Sequence, residues 1–168
     1  KDKGAMSTKF FNNAPGNTLF DKLKGIASDM TTFDRFLAVV GFFRSSGYFK
    51  LRKELGDVSE IKILVGINID DIFRKHNKAL LMLADEDKAK EIYHNGFKED
   101  IINAQYSPEV EEGILQMCED LVSGRLQMRI HATKNLHAKF YLCLPQNHSE
   151  HSDGLVIMGS SNISDSGL

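Results

Sequence analysis

A chain of 168 residues corresponds to about one domain, with enough length for a single core and too little for two. Its 42% hydrophobic and 26% charged content, with 13 Gly and 3 Pro, excludes a disordered tail or a collagen-like repeat, and a net charge of −2 from 21 basic and 23 acidic groups excludes a polycation. No apolar run approaches the ~20 residues that span a bilayer, and Cys118 and Cys143 are too few for a multi-bridge secreted scaffold. The expectation is a cytoplasmic protein with two free thiols and no membrane partner.

Lys1 to Ala5 precede Met6 and read as a cloning remnant, which leaves 6–168 as one domain. Asn17-Thr18 can cap a helix whose apolar positions Leu19, Leu23, Ile26, Ala27 and Met30 recur at helical spacing. Phe36 to Phe42 is a short apolar run that reads as a buried strand, followed by a turn at Arg44-Ser45-Ser46-Gly47 and a short helix with Tyr48, Leu51 and Leu55 on one side. A second strand over Ile61 to Ile67 precedes a helix start at Asp70 and Asp71, and helical patterns continue over Ile72 to Leu83 and Lys88 to Tyr93. Ser107-Pro108-Glu109 opens a last helix with Ile114, Cys118, Leu121 and Val122 facing inward. The pattern then changes to alternation, in Leu126 to His131 and again in Leu136 to Leu144. In both runs the even positions are apolar, which predicts two strands with that face buried, joined by a loop over Ala132 to Asn135. A polar loop, Gln146 to Asp153, leads to a final strand, Leu155 to Met158. Together these elements predict an α/β fold with a mixed β-sheet flanked by helices.

Charge is unevenly spread. Residues 1–84 carry 14 basic and 9 acidic groups, residues 85–120 carry 3 and 11, and residues 121–149 carry 4 basic groups and no acid. The last of these stretches holds Arg125, Arg129, Lys134, Lys139 and three histidines, a local anion site in a chain without overall anion affinity. Within it, His137 and Lys139 lie two apart, so on a strand they share a face with their roots about 6.6 Å apart. An imidazole there can attack phosphorus, and a neighbouring lysine offsets the charge that builds on the non-bridging oxygens. His76-Asn77-Lys78 has the same spacing but sits in a helical pattern, where residues two apart do not share a face. Gly159-Ser160-Ser161-Asn162, at the end of the last strand, supplies a sharp turn, two hydroxyls and an amide that can converge on the same phosphate.

His137-Ala138-Lys139, followed by Gly159-Ser160-Ser161-Asn162 and Ser166-Gly167-Leu168, resembles the phospholipase D superfamily. The resemblance is closest to its bacterial nuclease branch, including the PLD-like domains at the N-termini of some restriction and helicase proteins. It covers residues 137–168 directly and implies a phospholipase D-like fold and a phosphodiesterase that needs no metal and no cofactor. His137 would be the nucleophile that forms a phosphohistidine, Lys139 and Asn162 would bind the phosphate, and Ser160 would assist. The family uses two copies of the motif, the second histidine protonating the leaving oxygen, and this chain has one. A homodimer that brings together His137 of both protomers is the natural completion.

Two departures accompany the resemblance. The family's aspartate five residues after the lysine falls on Leu144, and the chain stops at Leu168, before the acidic or amide residue that commonly follows in the family; the expectation is a fragment of a longer protein, with a helicase or ATPase region elsewhere.

Around the motif, Ser161, Ser46, Arg44, Tyr141 and Arg129 are candidates for substrate contact, with His131 facing the same way as His137. His148, His151 and Asp153 lack the four-ligand spacing of a zinc site. The local basic stretch and the absence of an amphipathic membrane-docking segment favour nucleic acid over phospholipid as substrate. The alternatives are a catalytically silent module that binds nucleic acid or dimerises, and a phospholipid phosphodiesterase.

Overall fold

The computed structural model describes residues 10–12, 14–29, 33–66, 95, 107–131, 136–164, 167 and 168. The helices expected over Ile72 to Leu83 and Lys88 to Tyr93, the His76-Asn77-Lys78 copy, the helix start at Asp70 and Asp71, the Ala132 to Asn135 loop and Ser166 lie outside them.

Thr18 and Asp21 cap α1 (Leu19–Asp29) reciprocally: the Thr18 N–H donates to Asp21 Oδ2 at 2.9 Å, and the Asp21 N–H donates to Thr18 Oγ at 3.2 Å. The chain then enters β1 (Phe33–Val40), crosses through α2 (Ser45–Leu55) and returns as β2 (Glu60–Gly66), parallel to β1. Gly56 ends α2 at a φ of 58°, a conformation that suits glycine. The next described helix, α3 (Pro108–Val122), begins as its residues predict: Ser107 Oγ accepts from the Val110 N–H at 3.3 Å, with proline in the first turn. It leads into β3 (Leu126–His131), parallel to β2. β4 (Phe140–Pro145) then pairs antiparallel with β1, and β5 (Leu155–Met158) antiparallel with β4. The result is α/β, with one open mixed sheet of order β3-β2-β1-β4-β5.

Its core is built on one face of the sheet. Phe36, Ala38 and Val40 pair with Ile61, Ile63 and Val65, and these with Leu126, Met128 and Ile130. On the other side of β1, Cys143 and Tyr141 continue the same rows. Leu19 and Leu23 of α1, Tyr48, Leu51 and Leu55 of α2 and Met117 of α3 close over this surface. The opposite face carries Leu37, Val39, Phe140, Leu142 and Leu144, all half-buried, and Val156 and Met158, which are exposed.

Three expectations need correction. α2 begins at Ser45, so Ser46 and Gly47 belong to its first helical turn rather than to a separate loop. In α3 the buried positions are Gly113, Met117 and Asp120, and Ile114 packs against the core as expected, whereas Cys118 and Leu121 are exposed and Val122 is 90% exposed; the ion pair of Asp120 with Arg52 holds the Asp120 side of the helix inward. In β4 the odd residues Tyr141 and Cys143 are the buried ones, because they continue the Phe36–Ala38 rows of β1. Cys143 is accordingly inert, burial pushing its thiol up to about 12.

Gly47 shows how tightly α2 meets the C-terminal segment. A Cβ there would lie 2.6 Å from the Ser164 nitrogen and 2.8 Å from the Ile163 carbonyl carbon, both backbone atoms. Alanine in a helix gains up to about 1 kcal/mol over glycine, but overpacking against backbone costs about 1–3 kcal/mol or more. Gly47→Ala is therefore expected to lose about 1–2 kcal/mol net in urea unfolding. An unchanged or raised midpoint would contradict this contact.

Candidate functional site

β1 and β5 run in the same direction, since each is antiparallel to β4. The loops that follow β1 and β5 and the segment that enters β4 therefore meet at one edge of the sheet, where α2 also begins. Strand-end loops of this kind are where open α/β sheets place their ligands. Four contacts join them. The Gly159 N–H donates to the Lys139 carbonyl at 3.3 Å, the Arg44 N–H to the Ile163 carbonyl at 2.8 Å, and Phe43 forms a parallel bridge with Ile163. The fourth is the Phe42 N–H, which donates to Asn162 Oδ1 at 3.0 Å. That bond fixes the Asn162 amide: its oxygen is committed to the segment that follows β1, and its nitrogen carries the two donors that remain for a ligand.

Gly41 lets these groups close up. A Cβ on it would lie 2.9 Å from the Leu136 carbonyl oxygen, 3.3 Å from Lys139 Nζ and 3.6 Å from Asn162 Oδ1, so the lysine head and the asparagine oxygen converge on the bare glycine. Lys139 Nζ also donates to the His137 carbonyl at 2.7 Å, which anchors the ammonium beside the histidine backbone. The His137 side chain is exposed, as is Ser160. Gly41 and the Phe42 N–H are the parts that sequence reading missed, although a glycine closing an apolar strand is a mark of close backbone approach.

The structure revises several assigned positions. His137 and Lys139 are not on a strand: β4 begins at Phe140, and both lie in the segment before it, so strand pleating does not set the directions of their side chains. Tyr141 does not line a groove. It is 1% exposed, lies 6.2 Å from the Phe36 ring, and donates its hydroxyl to the Ser161 carbonyl at 2.5 Å, bracing the loop from beneath. Burial raises the Tyr141 phenol far above its ordinary value, so it remains a donor at any working pH. Ser161 is thus held by its carbonyl and is half-buried.

Arg44 precedes α2 at the site edge, with its guanidinium carbon 4.2 Å from the centre of the Phe42 ring, and Ser46 sits in the first turn of that helix. Arg129 is exposed on β3, in the row of Leu64, Val39 and Phe140, three strands from Phe140. At ~4.8 Å per strand that is about 14 Å between the two backbones. His131 ends the same edge strand beside Gly66.

Arg125, counted in the basic stretch, is turned to Asp120 at 3.3 Å. His148 Nδ1 lies 3.0 Å from Ser152 Oγ and His151 faces Glu150; among the described residues no group of three His, Cys, Asp or Glu side chains is arranged to hold a metal ion. Also among them, no helix is long and apolar enough to cross a membrane.

No family model matches the chain, and no curated protein matches it in sequence.

Proposed function

We propose that this domain is a phospholipase D-type phosphodiesterase that cleaves nucleic acid without a metal, through a phosphohistidine on His137. The convergence of Lys139 Nζ and the oriented Asn162 amide at Gly41, with His137 and Ser160 at the same sheet edge, supports the reading most directly. A phosphodiester seated between the lysine and the amide would present its phosphorus to the imidazole. Attack by the neutral imidazole forms the P–N bond and breaks one P–O bond, and the departing oxygen takes a proton from a second imidazole. Water then attacks phosphorus as the P–N bond breaks, giving its proton back to that second imidazole. With one motif per chain, the second group would be the partner's His137 in a symmetric dimer. A restriction or helicase region elsewhere in the full-length protein would deliver nucleic acid to the site, a point that rests on the resemblance alone.

Leu144 favours one second reading. It stands, half-buried, in the apolar row opposite the core where the family places an aspartate, so the domain could keep the phosphate grip and only bind or dimerise. Cleavage of plasmid and single-stranded DNA in excess EDTA, with the oligomeric state measured in the same preparation, separates the two. EDTA-resistant cleavage by a dimer, with protein denatured at alkaline pH, where the P–N bond survives, retaining labelled phosphate, is expected. Binding without turnover would replace the enzyme with the binding module, and cleavage abolished by EDTA would overturn the mechanism.

A further inference from the structure

We infer that Phe42 and Arg44 form a stacking platform for an unpaired base beside the bound phosphate, which makes single-stranded nucleic acid the substrate. The inference rests on the phosphodiesterase reading for where the phosphate lies. Along Gly41 to Ser45 burial alternates: Gly41, Phe43 and Ser45 are buried, whereas Phe42 and Arg44 are half-buried. Phe43 serves the core, at 3% exposure, so the Phe42 ring is a large apolar group at the site edge that the core does not absorb. Its position is set from both sides. Its own N–H holds Asn162 Oδ1 at 3.0 Å, and the guanidinium of Arg44 stands 4.2 Å from its ring centre. Arg44 is itself pinned by its backbone to Ile163.

A partly exposed ring with a planar cation over it, on the residue whose own N–H holds the proposed phosphate-binding amide, presents the surfaces on which bases stack in single-strand sites. Bases in a duplex already stack on one another and could reach this platform only after unpairing. A lipid headgroup offers no flat π-surface to match it.

The test compares a fluorescent oligo(dT) strand with an abasic strand of equal length, by anisotropy at fixed salt in the His137→Ala background so that nothing is cut. Phe42→Leu and Arg44→Lys are each expected to weaken oligo(dT) binding about tenfold while leaving the abasic strand within about twofold. Arg44→Lys keeps the charge and loses the plane, so full retention of oligo(dT) affinity would reduce Arg44 to a phosphate counter-charge and overturn the platform. Equal losses on both strands, or tighter binding of duplex than of single strand, would overturn it as well. Thermal midpoints of the variants separate misfolding from lost stacking; Ser160→Ala, in the same loop cluster but outside the platform, is expected to leave the oligo(dT)-to-abasic ratio unchanged. Wild-type protein that shows the base preference but never cleaves would sink the enzymatic reading and leave the platform standing.

Discussion

His137→Ala is expected to fold with an unchanged thermal midpoint and to lose EDTA-resistant cleavage by at least roughly 10⁴-fold, to the buffer background. The side chain is exposed, and exposed substitutions outside special contacts shift stability by only about 0.5 kcal/mol. In a symmetric dimer the one substitution removes the nucleophile from one protomer and the proton donor from the other, and general acid catalysis alone contributes about 10²–10⁴-fold. Mixing supplies a second readout. If each site takes one histidine from each protomer, activity of re-equilibrated mixtures should fall with the square of the wild-type fraction. A linear fall would mean that each chain works alone, and an active His137→Ala protein would dispose of the phosphohistidine.

The second large effect concerns the junction of α2 and α3. Asp120 is 1% exposed; its Oδ2 accepts from Arg52 Nε at 2.6 Å and from the Tyr48 hydroxyl at 2.8 Å, and its Oδ1 faces Arg52, Arg125 and Gln116 at 3.3–3.4 Å. Arg52 is 9% exposed in its side chain and also donates to the Gly56 carbonyl at 2.6 Å. Asp120→Ala leaves that guanidinium buried without its counter-charge, and breaking such a pair typically destabilises by about 3–5 kcal/mol. Against a domain stability of about 5–15 kcal/mol, much of the fold would be lost. Urea unfolding checks this, and a change below about 1 kcal/mol would show the pair to be dispensable. Replacing both partners, Arg52→Met with Asp120→Leu, should restore most of the loss, because the damage comes from the stranded charge.

The pair also sets a pH dependence. Burial alone would raise the Asp120 carboxyl, but the Arg52 and Tyr48 hydrogen bonds and the nearby guanidinium charges outweigh it and hold the group below the ordinary carboxylate range. A carboxyl lowered on folding contributes stability that is complete above its unfolded value, near pH 4, and fades as pH falls through the folded one. Stability lost on acidification should therefore be smaller in the double replacement than in the wild type.

Local chemistry made most elements legible. Ser107-Pro108 and Thr18 mark helix starts whichever way the helices pack, and β3 and β5 stand where their patterns placed them. The failures share a cause in partners remote in sequence. Leu126 to His131 faces the way its alternation predicts, but at Tyr141 and Cys143 the decision belongs to Phe36 and Ala38 of β1, which a local pattern does not contain. The spacing of Ile114, Cys118, Leu121 and Val122 gives Asp120 no place in the core, and only Arg52 on another helix brings it there. At the site, His137, Lys139 and Asn162 were visible as a motif, whereas Gly41 and the Phe42 N–H enter through contacts with the far end of the chain.

That distance bears on how the protein is made. Phe42 and Asn162 stand 120 residues apart in the chain, and β1, the strand that leads to Phe42, needs β4 to cover its second edge. At ribosomal rates of about 5–20 residues per second, β1 waits several seconds to tens of seconds with that edge unpaired, a window in which nascent chains depend on chaperones. The edge that carries the proposed site is then the last part of the sheet to form, so an unfinished chain holds the histidine-lysine segment without the asparagine that completes the proposed grip, and any chemistry there waits until the domain has closed.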